Sequence, residues 1–140
     1  MKINFPLLAL AIGAFAIGTT EFSPMGFLPQ IAENLNISIP TAGMLITAYA
    51  LGVMIGAPIM TLWFGHFPRR KALIILMGIF TLGNLFAAIA PNYWGLMGAR
   101  IFTSLNHGAF FGIGSIVATS VVPKVKQASA VAMVFMGLTI

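Results

Sequence analysis

Two charged side chains stand inside segments that are otherwise uncharged, and their chemistry needs explaining first. Glu21 follows eighteen residues without a formal charge, and Arg100 separates the uncharged runs 72–99 and 101–123. A charge at the centre of a bilayer costs about 2.5–3.5 kcal/mol on insertion scales, so each residue needs a partner or a wet cavity. Ionisable groups in such positions are typical of proton and substrate pathways.

Depth counting suggests that the two charges meet. Glu21 lies seven residues before Leu28, and Arg100 lies seven residues after Tyr93, which places both about 10 Å inside the outer boundary. This coincidence of depth favours a pair that meets across the bundle. The alternatives are an interfacial acid on a helix that ends early at Pro24, and a long guanidinium that reaches the outer interface unaided.

A polar column accompanies Arg100 along the same predicted helix. At 100° per residue, one arc collects a base, two hydroxyls, an imidazole and an aromatic ring, contributed by Arg100, Thr103, Ser104, His107 and Phe111. We expect this column to face the bundle interior, with His107 and Thr103 on a substrate or proton pathway. The alternative for His107 is an ordinary buried histidine. Asn106 falls outside the arc.

Two further polar residues, Tyr49 and Asn84, lie one in each of the middle apolar segments. They are weaker candidates for the pathway, and plain hydrogen bonding between helices is the favoured role.

Small residues recur every four positions in two of the predicted helices, which predicts close helix packing. One stripe consists of Ala48, Gly52 and Gly56, and the other of Ser104, Gly108 and Gly112.

These side chains must be positioned by membrane-spanning helices. The chain is 59% hydrophobic and only 6% charged, which excludes an ordinary soluble domain of 140 residues. We predict an all-α, polytopic membrane helix bundle with four complete spans at about 7–28, 42–64, 72–90 and 95–122. A fifth helix, about 128–140, is too short to cross, so we expect the chain to stop inside a helix.

Basic residues set the predicted orientation, because Lys and Arg beside a span are retained in the cytoplasm. Six of them fall on one side of the four-span arrangement, and the opposite loops have none: Lys2, Arg69, Arg70, Lys71, Lys124 and Lys126. The N-terminus and the loop at residues 65–71 are therefore expected in the cytoplasm, and Tyr93 and Trp94 at the outer interface.

Composition also argues against other classes of function. The chain has two acidic residues, two histidines and no cysteine, so neither a paired-carboxylate enzyme site nor a metal cluster is expected. No glycine-rich phosphate loop occurs, and no cofactor is predicted. The basic residues belong to loops rather than to a soluble domain that could bind nucleic acid. We expect no enzyme.

Several stretches resemble the N-terminal end of major facilitator superfamily transporters, in the proton-coupled drug and metabolite efflux branch and nearest its arabinose-efflux-permease group. They are TTEFSPMGFLPQIA, AGMLITAYALGVMIGAPIM, LNHGAFFGIGSIVA and VPKVKQASAVA. The resemblance covers residues 1–140. It implies two six-helix bundles, of which this chain supplies part of the first, a site near the midplane and a bacterial inner-membrane location.

The resemblance also implies roles for particular residues. Glu21, before Pro24 and Pro29, matches an acid that couples protons to transport, and Arg100 matches an arginine implicated in proton handling. The loop motif departs from the family pattern, because Gly65 and His66 stand where Asp-Arg is usual. Arg69 and Arg70 survive from this motif, and Lys71 follows them in the predicted cytoplasmic loop.

The partners implied are the lipid bilayer, protons, a small molecule such as a sugar or a drug-like metabolite, and the C-terminal helices of the transporter. Two alternatives stay open. The chain could be a truncated membrane fragment without transport activity, or a small four-helix membrane subunit, against which the ending within MVFMGLTI argues.

Overall fold

Seven α-helices build the chain in a computed structural model, which describes residues 4–140. They are α1 (Phe5–Gly26), α2 (Leu28–Asn34), α3 (Ile39–Phe64), α4 (Arg69–Ala88), α5 (Tyr93–Ser104), α6 (His107–Ser120) and α7 (Gln127–Thr139), with a 3-10 turn at Lys124–Lys126. The described residues include no strand. The predicted all-α bundle is confirmed.

Four helical segments are long and apolar enough to cross a membrane: Phe5–Gly26, Ile39–Phe64, Arg69–Ala88 and Tyr93–Ser120. The helices begin at side-chain caps where the sequence offers Asn or Ser. Asn4 accepts a hydrogen bond from the backbone of Leu7, and Ser38 accepts one from Thr41. Each cap satisfies an N–H that the first helical turn leaves free.

Two predicted boundaries need correction. The third span begins at Arg69, directly after Pro68, so the three basic residues at 69–71 form its first turn instead of a loop. The fourth span is two helices, α5 and α6, separated at Leu105 and Asn106. Hydrophobicity alone predicts a single helix here, because an apolar run does not indicate where the backbone hydrogen bonds of a helix are interrupted.

The helices pack in an antiparallel arrangement, with α3 and α4 against the fourth span and α1 against α7. The amide of Asn4 donates to the carbonyl of Val121 at 3.2 Å, which joins the start of α1 to the end of the fourth span. At the other end, the Tyr93 hydroxyl donates to the carbonyl of Thr41 at 3.1 Å.

Small residues allow the closest contacts, as the two stripes predict. Gly52 of α3 lies directly against the Ser104 side chain, and a Cβ at Gly56 would stand 2.7 Å from the Cα of Leu105. Such contacts let two backbones approach where larger side chains would separate them. The stripe therefore fixes α3 beside the fourth span and sets Tyr49 opposite residues 100–107.

Candidate functional site

A polar cluster forms where the first, second and fourth spans meet. It consists of Glu21 from α1, Tyr49 from α3, Arg100 from α5 and His107 from α6, and we call these four residues the polar cluster. Their side chains are buried or partly buried. The fold thus turns every ionisable side chain within the four spans, other than those of the first turn of α4, towards the bundle rather than the lipid.

Arg100 is a buried member of the polar cluster, with only 6% of its surface exposed. Its Nε donates to the carbonyl of Leu45 at 3.1 Å, and its Nη1 donates to the carbonyl of Thr20 at 3.4 Å. The guanidinium carbon lies 4.7 Å from the centre of the Tyr49 ring, a cation–π contact. Arg100 therefore ties the second span to the first.

The sequence explains why the Thr20 carbonyl accepts this bond. In an α-helix that carbonyl pairs with the N–H four residues later, which is position 24. Residue 24 is proline and has no N–H, so the carbonyl is left without its usual donor. Arg100 supplies the missing hydrogen bond from a neighbouring span.

The predicted Glu21–Arg100 ion pair is not formed. Between the described residues, the contact within 4.0 Å that Glu21 makes to a basic side chain is with His107, whose Nδ1 lies 3.8 Å from Oε2. The guanidinium is instead directed at two backbone carbonyls. Arg100 nevertheless bonds to the residue adjacent to Glu21, so its guanidinium reaches the level of Glu21 in the bundle.

His107 connects the other members of the polar cluster. Its Nδ1 also lies 3.3 Å from the hydroxyl of Tyr49, and its ring packs 5.2 Å from the ring of Phe111. Phe111 in turn stacks on Phe135 of α7 at 4.9 Å. The imidazole is thus held between polar groups on one side and aromatic rings on the other.

The two hydroxyl residues of the predicted column, Thr103 and Ser104, do not join the polar cluster. The Thr103 hydroxyl donates to the carbonyl of Ala99 at 2.7 Å, and the side chain packs against Gly83 of α4. Ser104 bonds to its own helix and faces α3. Side chains on one arc of a helix can contact several neighbouring helices. Residues that share an arc therefore need not line the same cavity. A pathway role for Thr103 stays a prediction.

Asn84 makes the interhelical bond that was the favoured role for it. Its Oδ1 accepts a hydrogen bond from the Thr20 hydroxyl at 3.2 Å, while its Nδ2 donates to the carbonyl of Phe80. Thr20 thus links α1 both to α4, through its hydroxyl, and to α5, through its carbonyl.

Comparison with known proteins gives a match over most of the chain. The family model described as Major Facilitator Superfamily matches residues 10–140. The chain belongs to the Major Facilitator Superfamily. It is 73% identical over 140 residues to the inner membrane transport protein YdhP of Escherichia coli K12, matching all of this chain and 36% of that protein.

More distant members of the Major Facilitator Superfamily also match. The putative transporter AraJ of Escherichia coli K12 is 39% identical over 134 residues, covering 96% of this chain and 34% of AraJ. The chloramphenicol efflux pump Rv0191 of Mycobacterium tuberculosis is 32% identical over 139 residues, covering 99% and 34%. The chain spans about a third of the length of these curated relatives.

One buried residue of this superfamily member escaped the prediction from the helical arc. Asn106 is fully buried at the break between α5 and α6, and its Nδ2 donates to the carbonyl of Leu76 at 2.8 Å. Its Oδ1 has no partner among the described residues. An amide in an apolar span is itself a signal for such a bond. The arc assumed an unbroken helix and placed Asn106 on the wrong side.

The basic residues at positions 69–71 lie at the opposite end of the bundle from the polar cluster. Arg69, Arg70 and Lys71 are all exposed in the first turn of α4. Among residues 4–140, no group of three His, Cys, Asp or Glu residues could hold a metal ion. The polar cluster itself offers a carboxylate, a phenol, a guanidinium and an imidazole, which can form hydrogen bonds and, in the carboxylate and the imidazole, bind protons.

Proposed function

We propose that these residues belong to a proton-coupled efflux transporter for a small molecule, with Glu21 as its proton-binding group. The observation that carries the proposal is the position of the Glu21 carboxylate. It lies inside an apolar span, is partly buried, and faces His107 of the fourth span instead of lipid. Placing a carboxylate inside a membrane span costs free energy, and residues of this kind typically serve proton or substrate pathways.

Each member of the polar cluster has a proposed role. Glu21 binds a proton when the cavity opens to one side and releases it on the other. Arg100 favours the ionised carboxylate by its charge in one of the two states, and His107 lines the cavity. Tyr49 holds Arg100 and His107 in position, because it contacts the guanidinium of the first and the imidazole of the second.

The proposed direction and cargo rest on the relatives. One of them is named as a chloramphenicol efflux pump and another as an inner membrane transport protein. We infer export of a sugar or a drug-like metabolite through the bacterial inner membrane. Alternating access needs two bundles that rock about one site, so the activity requires helices beyond these 140 residues.

The proposed orientation has the N-terminus and the Arg69 turn in the cytoplasm. The antiparallel packing supports this grouping, because the first turn of α4 lies at the same end of the bundle as the residues after α6, which include Lys124 and Lys126. Lys2, which belongs to the same predicted group, lies outside the described residues.

The test uses the two acidic residues of the chain as a matched pair. In the transporter at its natural length, Glu21→Gln should abolish efflux driven by a proton gradient while leaving membrane insertion intact, because the amide cannot carry a proton. Glu33→Gln changes the exposed acid on α2 and should leave efflux unchanged. The assay is uptake into inverted vesicles, using a substrate panel with and without a gradient. Gradient-dependent transport by Glu21→Gln at the control's rate would refute the proposal.

A further inference from the structure

A single nitrogen of His107 has two possible partners on two different spans. Its Nδ1 lies 3.3 Å from the hydroxyl of Tyr49 on α3 and 3.8 Å from Oε2 of Glu21 on α1. An imidazole nitrogen holds either a proton or a lone pair, so it is either a donor or an acceptor. The state of Nδ1 therefore decides which partner it serves.

The chemistry of the two partners makes the choice definite. A bare Nδ1 can accept a hydrogen bond from the Tyr49 hydroxyl, but an ionised carboxylate has no proton to give it. A protonated Nδ1 can donate, and a carboxylate is a stronger acceptor than a neutral phenol because the bond is charge-assisted. Loading one proton thus exchanges the partner without moving a proton off either Tyr49 or Glu21.

We propose that Nδ1 of His107 is a second proton-binding site, and that loading it transfers the hydrogen bond of the fourth span from Tyr49 on the second span to Glu21 on the first. The inference deepens the proposed function and rests on it for its role in transport. The exchange of partners itself is a property of the bundle that can be measured without transport.

The exchange of partners needs only a small movement. A charge-assisted N–H···O bond is about 2.7–2.9 Å long, so the 3.8 Å separation from Glu21 must shorten by about 1 Å. The Glu21 side chain is only partly buried. Rotation about its side-chain bonds can bring the carboxylate to His107 while the helices stay in place.

The charges facing the imidazole are few. From α1 it meets Glu21, from α3 it meets Tyr49, and the guanidinium of Arg100 from α5 lies over the Tyr49 ring. On its own helix it meets Phe111, and α7 contributes no titratable side chain. The basic turn of α4 lies at the other end of the bundle. Among the described residues, one carboxylate and one guanidinium are therefore the charged groups on the elements around the imidazole.

The experiment uses solid-state NMR on the protein at its natural length in liposomes of phosphatidylethanolamine and phosphatidylglycerol. Histidine carries ¹⁵N in its ring and glutamate carries ¹³C in its carboxyl group. Within these 140 residues the labels fall on two residues of each type, and the exposed His66 and Glu33 serve as internal references. Ring shifts report the protonation of Nδ1, and dipolar coupling reports its distance from the Glu21 carboxyl carbon.

At high pH, Nδ1 of His107 should be unprotonated and hydrogen-bonded, and Tyr49→Phe should change its shift. On acidification, Nδ1 should gain a proton and its distance from the Glu21 carboxyl carbon should shorten by about 1 Å. The proposal is overturned if the distance stays constant while Nδ1 is protonated, or if Nδ1 carries the proton in the neutral ring. Neither result depends on variants that fold poorly, since the wild-type distance is decisive.

The outcome separates this inference from the proposed function. If Glu21→Gln loses efflux and the distance from Nδ1 of His107 to the Glu21 carboxyl carbon stays constant, Glu21 remains the proposed proton site and His107 is excluded as a second one. A shortening distance together with normal efflux in Glu21→Gln would keep the exchange of partners and overturn the proposed function.

Discussion

Gly52→Ala tests whether the small-residue stripe places the second span against the polar cluster. A Cβ at position 52 would collide with the Ser104 hydroxyl and would stand 3.1 Å from the Ser104 Cβ, whereas the Ile101 carbonyl is at an ordinary 3.5 Å. Ser104 is fully buried, and its hydroxyl donates to Ile101 at 2.7 Å, so it has little room to turn away. The conflict is therefore with one side chain.

The change in the free energy of unfolding has two opposing contributions. Overpacking a closed contact costs about 1–3 kcal/mol, and alanine is favoured over glycine in a helix by about 1 kcal/mol. Gly78→Ala is the matched control, because a Cβ on that residue of α4 meets nothing within 4 Å. Gly52→Ala should therefore be less stable than Gly78→Ala by about 1–3 kcal/mol, with the helix term cancelled.

A double variant assigns this loss to the contact. Ser104→Ala removes the colliding oxygen at the loss of one hydrogen bond, about 1 kcal/mol. Added to Gly52→Ala, it should restore about 1–2 kcal/mol, a coupling expected of touching residues. The assay is reversible unfolding in mixed micelles with increasing SDS. If Gly52→Ala matches Gly78→Ala, or if the two changes at 52 and 104 simply add, the stripe does not pack as described.

Two further predictions address the polar cluster and the orientation. Arg100→Lys keeps the charge but loses the planar guanidinium that donates to both Leu45 and Thr20. We therefore expect the free energy of unfolding to fall by about 1–3 kcal/mol in the same assay. Wild-type stability would contradict the view that Arg100 links the spans. The chain has no cysteine, so single cysteines can report sidedness. An impermeant thiol reagent added to intact cells should label Glu33→Cys on α2 and spare Val125→Cys in the basic 3-10 turn, and the reverse pattern would refute a cytoplasmic N-terminus.

Much of the site could be predicted because charge in an apolar segment is costly wherever the segment folds. Glu21, Arg100 and His107 stand out in the sequence for that reason, and the structure brings all three into one cluster with Tyr49. Residue counting along straight helices also predicted that Glu21 and Arg100 lie at one level, and Arg100 bonds to the residue beside Glu21. These inferences need only the thickness of a bilayer and the rise of a helix.

The pairing inside the cluster could not be predicted in the same way. Arg100 bonds to backbone carbonyls, one of them freed by Pro24, and Glu21 faces His107 instead. Hydrogen-bond partners depend on the rotation of each helix about its axis and on separations of a few tenths of an ångström. Neither quantity is encoded by spacing along one helix.

The sequence by itself determined the membrane class, the all-α bundle and the four apolar spans, because hydrophobicity acts through the solvent and needs no partner. Only the tertiary structure decided that the fourth span breaks at residues 105–106, that Asn106 binds the third span, and that one nitrogen of His107 lies between Tyr49 and Glu21. The physical reason is that a buried polar group takes whichever partner the packing of small residues brings within reach.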